Sequence, residues 1–330
     1  MSIGEVAYVN SVREQLLAGR ARLAEALGER ESQRMLNLLE EVDSALHRID
    51  HGQFGVCEVC LGTVEDERLR ENPLARVCLD CLSPKQQRAL EYDLELAAQI
   101  QKGLLPAADT KFEGWHIAHY YQPAGMVSGD YCDVIRENGH LYFILADVSG
   151  KGVAAAMLAS NLRAVFRSLI PLGLSIEEFL IRANRLFRES ALPSQYATIA
   201  FGRSSWRGEF ELVNVGHPPV LLATQGGIRQ FESTCHPLGL FSDNTVCVSR
   251  GQLSPGDTLV LYSDGISEAA NERDEEYGVD AVAKLIREQY LRPPQELVQA
   301  VKQNLAAFRG GAGRADDETL LAVQYAPVAA

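Results

Sequence analysis

The apolar residues of this chain change their spacing at Pro106, and that change limits what the chain can fold into. Upstream they recur at three- and four-residue steps, the period of one helix face. Leu16, Leu17, Leu23 and Leu27 form one such stripe, and Met35, Leu38, Leu39, Val42, Leu46 and Ile49 a second. Leu90, Leu94, Ala97, Ile100 and Leu104 form a third, opened by Ser83-Pro84 and closed by Leu105-Pro106. Serine caps a helix and proline is tolerated at its first position. Downstream the apolar runs are short, alternating or wholly apolar, and bounded by Gly, Pro, Asn or Asp: 115–121, 141–146, 197–201, 210–215, 220–223 and 258–262. These predict strands. Helical patterns at 154–169, 176–189, 279–289 and 294–308 intervene. Strands in two groups, with helices between and after, predict an α+β domain of packed antiparallel sheets covered by helices. The expected division is a helical module over 1–82, a connecting amphipathic helix over 83–105 and a larger domain over 106–330.

Four of the seven cysteines stand inside the helical part. Cys57 and Cys60, then Cys78 and Cys81, form two C-x-x-C pairs. Two such knuckles at this spacing can surround one tetrahedral Zn²⁺ with four thiolates. Cys132, Cys235 and Cys247 are scattered and read as small hydrophobes. The sequence shows only short apolar runs, far below the ~20 residues of a spanning helix. Its first residues lack a basic segment and an apolar one, so a cytoplasmic protein with reduced thiols is expected, without a membrane. The 330 residues carry 31 Lys+Arg against 44 Asp+Glu, a formal charge of −13. That balance disfavours nucleic acid as a partner, because phosphate binding needs surplus cations.

The second half carries acids beside glycine at strand ends. Ser128-Gly129-Asp130-Tyr131-Cys132-Asp133 precedes one strand, and Asp147-Val148-Ser149-Gly150 follows another. Ser263-Asp264-Gly265 follows a third, and Asp316-Asp317-Glu318-Thr319 precedes the last apolar run. Oxygen ligands at strand ends, with glycine letting the backbone approach, suit Mg²⁺ or Mn²⁺. Two such ions can share a hydroxide that attacks a phosphoryl group in line.

In this order, G-D-Y-C-D, A-D-V-S-G-K-G, N-V-G-H-P-P, L-Y-S-D-G-I-S-E-A and D-D-E-T-L-L resemble the SpoIIE/RsbU-type serine phosphatases of bacteria, a branch of the metal-dependent, type 2C-like protein phosphatases. Q-I-Q-K-G-L-L-P at 99–106 resembles the segment that introduces that domain. The resemblance implies an α/β/β/α sandwich of two antiparallel sheets with a centre of two Mn²⁺ or Mg²⁺ ions. By motif position Asp147 bridges both ions, with the Val148 carbonyl as a further ligand. Asp130 serves one ion, and Asp264 and Asp316 the other. Asp133 and Asp317 are expected to orient ligands or waters. Ser128 in place of the usual glycine, and Cys132 in place of a bulky residue, depart from the pattern beside the site without replacing a ligand. No arginine is evident as a phosphate clamp. His217 reads as a turn histidine holding its loop before it reads as a general acid, and Lys151 as a phosphate contact or a solvated helix start.

Residues 38–82 resemble the DksA/TraR-type zinc finger in their cysteines, the G-x-x-G-x-C approach and P-L-A-x-x-C. That family binds RNA polymerase through acids at a helical-hairpin tip, here near 27–31, where no convincing match stands, so one structural or sensory Zn²⁺ is the expected role. Together the resemblances imply a phosphoserine/phosphothreonine protein phosphatase acting on a phosphorylated anti-sigma-factor antagonist, regulated by the zinc module. A homodimer through the connecting helix is a further expectation. The rival reading is a non-enzymatic regulator that binds RNA polymerase or a phosphorylated partner.

Overall fold

The computed structural model describes residues 3–29, 33–107, 109–112, 114–192, 194–242 and 246–327. These form two compact units, Met1–Asp93 and Leu94–Ala330. Arg30 and Glu31, at the expected hairpin tip, lie outside the described residues.

In the first unit α1 (Ile3–Glu29) and α2 (Gln33–Asp50) bury Val12, Leu16, Val42, Ala45 and Leu46 against each other. A second small core, around Val64, Leu69 and Ala75, includes Cys57 and Cys78 and the helix α3 (Asp66–Glu71). Cores this small supply little stability of their own. Helix α4 (Pro84–Leu104) starts where the Ser-Pro pair puts it. Ser83 and Gln86 close a reciprocal cap: Gln86 N–H donates to Ser83 Oγ (3.4 Å), and Ser83 N–H donates to Gln86 Oε1 (3.1 Å).

The second unit is a four-layer sandwich. Its strands are β1 (Asp109–Phe112), β2 (Gly114–Gln122), β3 (Asp130–Glu137), β4 (His140–Val148), β5 (Ala197–Ser205), β6 (Glu209–Val215), β7 (Val220–Thr224), β8 (Gly227–Phe231), β9 (Ser249–Gln252), β10 (Thr258–Tyr262) and β11 (Glu318–Ala326). Its helices are α5 (Gly152–Leu169), α6 (Ile176–Ser190), α7 (Asp264–Ser267), α8 (Val279–Gln289) and α9 (Pro294–Arg309). One sheet runs β1-β2-β11-β10-β7-β8, the other β3-β4-β5-β6-β9; every strand pair is antiparallel. The α/β/β/α arrangement expected from the sequence is the one the chain adopts.

Alternation sorts the side chains into layers. In β4, Leu141, Phe143 and Leu145 enter the core between the sheets, while Tyr142, Ile144, Ala146 and Val148 pack under α5 and α6. In β11, Leu321 and Val323 face inward, while Leu320 and Ala322 meet α7, α8 and α9. Among the described residues Gly152–Leu172 is the one helix long and apolar enough to cross a membrane by length and composition. The expectation of only short apolar runs overlooked how apolar its alanines make it; its stripe of Ala155, Leu158, Leu162, Phe166 and Leu169 is buried in the core.

Candidate active site and zinc cluster

Strand parity gathers the acids at one edge of the sandwich. Asp147, at the end of β4, has the inward parity of Phe143 and Leu145, so it points between the sheets. The register of β3 sets Asp130 opposite Asp147 and Cys132 opposite Leu145, so Asp130 shares that face. Across the core, β10 ends at Tyr262 just before Asp264, and its antiparallel partner β11 begins just after Asp316-Asp317. Thr319, of inward parity like Leu321, donates its hydroxyl to Asp130 Oδ2 and ties the two sheets together at this edge.

Two glycines permit the approach. A Cβ on Gly265 would lie 2.9 Å from the Asp317 carbonyl carbon and 3.3 Å from that of Asp316. A Cβ on Gly129 would lie 2.9 Å from the Val148 carbonyl oxygen and 3.5 Å from Asp147 Oδ1. The Val148 carbonyl and the Asp147 carboxylate therefore both border Gly129.

The edge carries more negative charge than its surroundings compensate. Asp130 is 3% exposed, and its Oδ1 has no hydrogen-bond partner. Burial, then the charge of Asp147, raises its pKa well above the carboxylate range. Burial and the charges of Asp264, Asp316 and Asp317 push Asp147 up to about 7. Asp264 is raised by burial and by Asp316, and Glu268 by burial and by Asp264. Lys151 opposes this, its Nζ standing 3.1 Å from Asp316 Oδ2 and 2.7 Å from the Ala315 carbonyl. A buried carboxylate oxygen without a donor, among acids that raise one another's pKa, fits hard divalent cations. Among the described residues only the four clustered cysteines have ligand atoms all within 4.8 Å of one another; the acids line the edge without closing on a single point.

The neighbouring polar residues divide by role. Asp317 accepts from the N–H groups of Ala124 (2.7 Å) and Gly129 (2.9 Å) and so holds the approach to Asp130. Asp133 faces the other way. It is fully buried, accepts two 2.8 Å bonds from Arg167 and one from the Tyr131 hydroxyl, and ties β3 to α5. Strand parity explains this, because Asp133 stands an odd number of residues from Asp130. His217 is buried, takes its N–H to Asn214 Oδ1 and pairs Nδ1 with Thr198 Oγ1 at 2.8 Å. Burial lowers its pKa to about 3, so it is a neutral loop anchor. The motif D-D-E-T-L-L contains Thr319, but nothing local in it marks a cross-sheet bond; only its shared parity with Leu321 signals that role.

In the first unit the knuckle closes through Cys57 N–H to the Gly62 carbonyl (2.8 Å), with Leu61 left-handed at φ 58°. Cys60 and Cys78 sulfurs are 3.7 Å apart. A tetrahedron with Zn–S bonds of ~2.3 Å sets its sulfurs about 3.8 Å apart. Backbone N–H groups of Cys60 and Cys78 lower the Cys57 thiol to about 6, while hydrogen bonding with Cys78 and Cys60 raises Cys81. The four-sulfur donor set fits zinc.

The sequence model of the Stage II sporulation protein E (SpoIIE) family matches residues 137–326, more than half of the chain. The chain belongs to the SpoIIE family. That match contains Asp147, Asp264 and Asp316 and begins after Asp130. The prokaryotic dksA/traR C4-type zinc finger matches residues 52–87. Phosphoserine phosphatase RsbU of Bacillus subtilis is 27% identical over 222 residues, covering 66% of each chain. Protein IcfG of Synechocystis sp. is 26% identical over 261 residues, which are 70% of this chain and 41% of that protein. The chain thus spans under two thirds of either curated relative. The SiaA-PP2C domain of Pseudomonas aeruginosa superposes with a TM-score of 0.65 at 20% identity, over 73% of this chain and 98% of that domain. The sandwich is a PP2C-type fold.

Proposed function

We propose that this SpoIIE-family chain is a metal-dependent phosphoserine/phosphothreonine protein phosphatase. The observation that carries the reading is the buried Asp130 Oδ1, which lacks a partner and faces a row of acids that repel one another. Asp147 would serve both of two Mn²⁺ or Mg²⁺ ions, with the Val148 carbonyl as a further ligand; Asp130 would hold one ion, and Asp264 and Asp316 the other. Bound divalent cations supply Lewis-acid charge to phosphoryl oxygens and lower the pKa of water.

The chain's own residues do the rest. Asp317 fixes the Gly129 backbone, Thr319 fixes Asp130, and Lys151 holds the Asp316 loop at the solvent side. The nearby hydroxyls are already engaged. Ser128 Oγ accepts from Asp130 N–H, and Ser263 Oγ donates to the Asp317 carbonyl. Our reading is direct attack by water, without a covalent enzyme intermediate.

The likeness to phosphoserine phosphatase RsbU supports a phosphoserine substrate; our reading is a phosphorylated anti-sigma-factor antagonist in a partner-switching pathway. The zinc finger over 57–81 would carry one Zn²⁺ and regulate the phosphatase domain, whose limits we take as 106–330. Exposed Leu90, Tyr92, Leu96 and Ile100 on α4 support a homodimer through that helix, and the cysteine cluster supports a cytoplasmic setting. RNA polymerase is the less favoured partner. Manganese-dependent release of phosphate from a phosphoserine protein tests the activity. It should vanish in Asp264→Ala, and full activity in that variant overturns the assignment.

A further inference from the structure

We propose that Gln101, in the last turns of α4, is a positioning residue for the cation held through Asp130; the inference rests on the reading of the acidic edge given above. The Gln101 side chain grips both main-chain groups of one residue, Ser128. Its Nε2 donates to the Ser128 carbonyl at 2.7 Å, and its Oε1 accepts from the Ser128 N–H at 3.0 Å. A primary amide used this way replaces the partner that a neighbouring strand would offer, at the point where the backbone enters β3.

Ser128 is fully buried, so without Gln101 both of its main-chain groups would lose their partner out of reach of water. Two residues on stands Asp130. The chain between them is pinned at each step: Ser128 Oγ accepts from Asp130 N–H at 3.0 Å, Gly129 N–H donates to Asp317 Oδ2 at 2.9 Å, and the Gly129 carbonyl accepts from Val148 N–H at 3.2 Å. No side chain fits at Gly129, where a Cβ would lie 2.9 Å from the Val148 carbonyl oxygen.

Gln101 differs from these other ties in its origin. Asp317, Val148 and Thr319 belong to the same edge as the acids they order, whereas Gln101 comes from a helix that buries none of its own residues. The carboxylate at 130 is thus oriented partly from α4, through one amide. Groups that orient metal ligands without touching the metal are worth about 10–100-fold in affinity.

The test is titration calorimetry of the full-length chain with Mn²⁺, on wild type, Asp130→Asn, Gln101→Ala and Gln101→Glu. Asp130→Asn identifies the binding step that this carboxylate serves. Gln101→Ala is expected to weaken that step by about tenfold or more. Its phosphate release should need correspondingly more Mn²⁺ yet recover at saturation. Gln101→Glu keeps the size and the acceptor for Ser128 N–H but sets a carboxylate oxygen against the Ser128 carbonyl, so it should be equally weak; it carries the comparison if the alanine variant unfolds. A lowered melting temperature with unchanged Mn²⁺ affinity in both variants makes Gln101 a structural tie only and overturns the proposal. A wild type that binds no Mn²⁺ overturns instead the reading of the acidic edge.

Discussion

Gly265→Ala isolates the closeness of the strand ends from the chemistry of the acids. The substituted carbon would fall against main-chain atoms: the Asp317 carbonyl carbon at 2.9 Å, its oxygen nearer still, and the Asp316 carbonyl carbon at 3.3 Å. Favourable carbon contacts begin near ~3.5 Å, so the 316–317 segment must retreat by about 1 Å. It cannot do so freely, because Ser263 and Thr319 bond across the same gap at 2.9–3.0 Å. Overpacking of this kind costs about 1–3 kcal/mol, and a backbone obstacle argues for the upper half. In a unit of this size about 2–3 kcal/mol lowers Tm by roughly 4–12 °C. The retreat also displaces Asp316 and, through Asp317, the Gly129 backbone; a misplacement of about 1 Å costs on the order of 10²-fold in rate. The control is Gly103→Ala on α4, where a Cβ meets nothing within 4 Å and helix propensity favours alanine. Thermal melts and manganese-dependent phosphate release should show a damaged Gly265→Ala beside an unharmed Gly103→Ala. Wild-type melting and activity in both would refute the packing argument.

Three further outcomes follow from the same structure. Replacing Cys57 and Cys60 together with Ser should remove about one Zn per chain by elemental analysis and loosen the Met1–Asp93 unit, whose two cores are small; zinc content equal to wild type would contradict the cluster. In metal-free protein the raised pKa of Asp147 makes its contribution to stability complete below about pH 4 and lost as pH rises through about 7. The Tm advantage of Asp147→Asn over wild type should therefore grow between about pH 5 and about pH 8 and disappear when Mn²⁺ is added to wild type; a pH-independent difference would count against the repulsion. Arg167→Ala should lower Tm by leaving the buried Asp133 charge without its paired donors, while Mn²⁺ affinity stays unchanged. An altered affinity would return Asp133 to the metal site.

Much of this was legible in the sequence because strand alternation fixes which side chains point inward. Once 141–146 and 258–262 read as strands, the acids after them had to stand at strand ends, and glycine beside each signalled close approach. Alternation also explains what was missed. Asp130 lies inside β3 rather than ahead of it, because Tyr131, Cys132, Val134 and Ile135 continue the strand back to the acid. Asp133 has the outward parity that sends it to α5, a distinction the motif alone conceals. The short strands β1, β8 and β9 are too polar to show as apolar runs; Ser-Arg-Gly-Gln at 249–252 is recruited by pairing with β6. Gln101 and Thr319 act through partners 27 and 189 residues away, and contacts at such separation leave no local pattern.

The central claim, that the four acids form a two-cation centre, is met most directly by anomalous diffraction at the manganese edge from crystals grown with Mn²⁺. Two peaks are expected at the edge of the sandwich, with Asp147 between them, Asp130 beside one, and Asp264 and Asp316 beside the other. A single peak, or none within reach of Asp147, would contradict it.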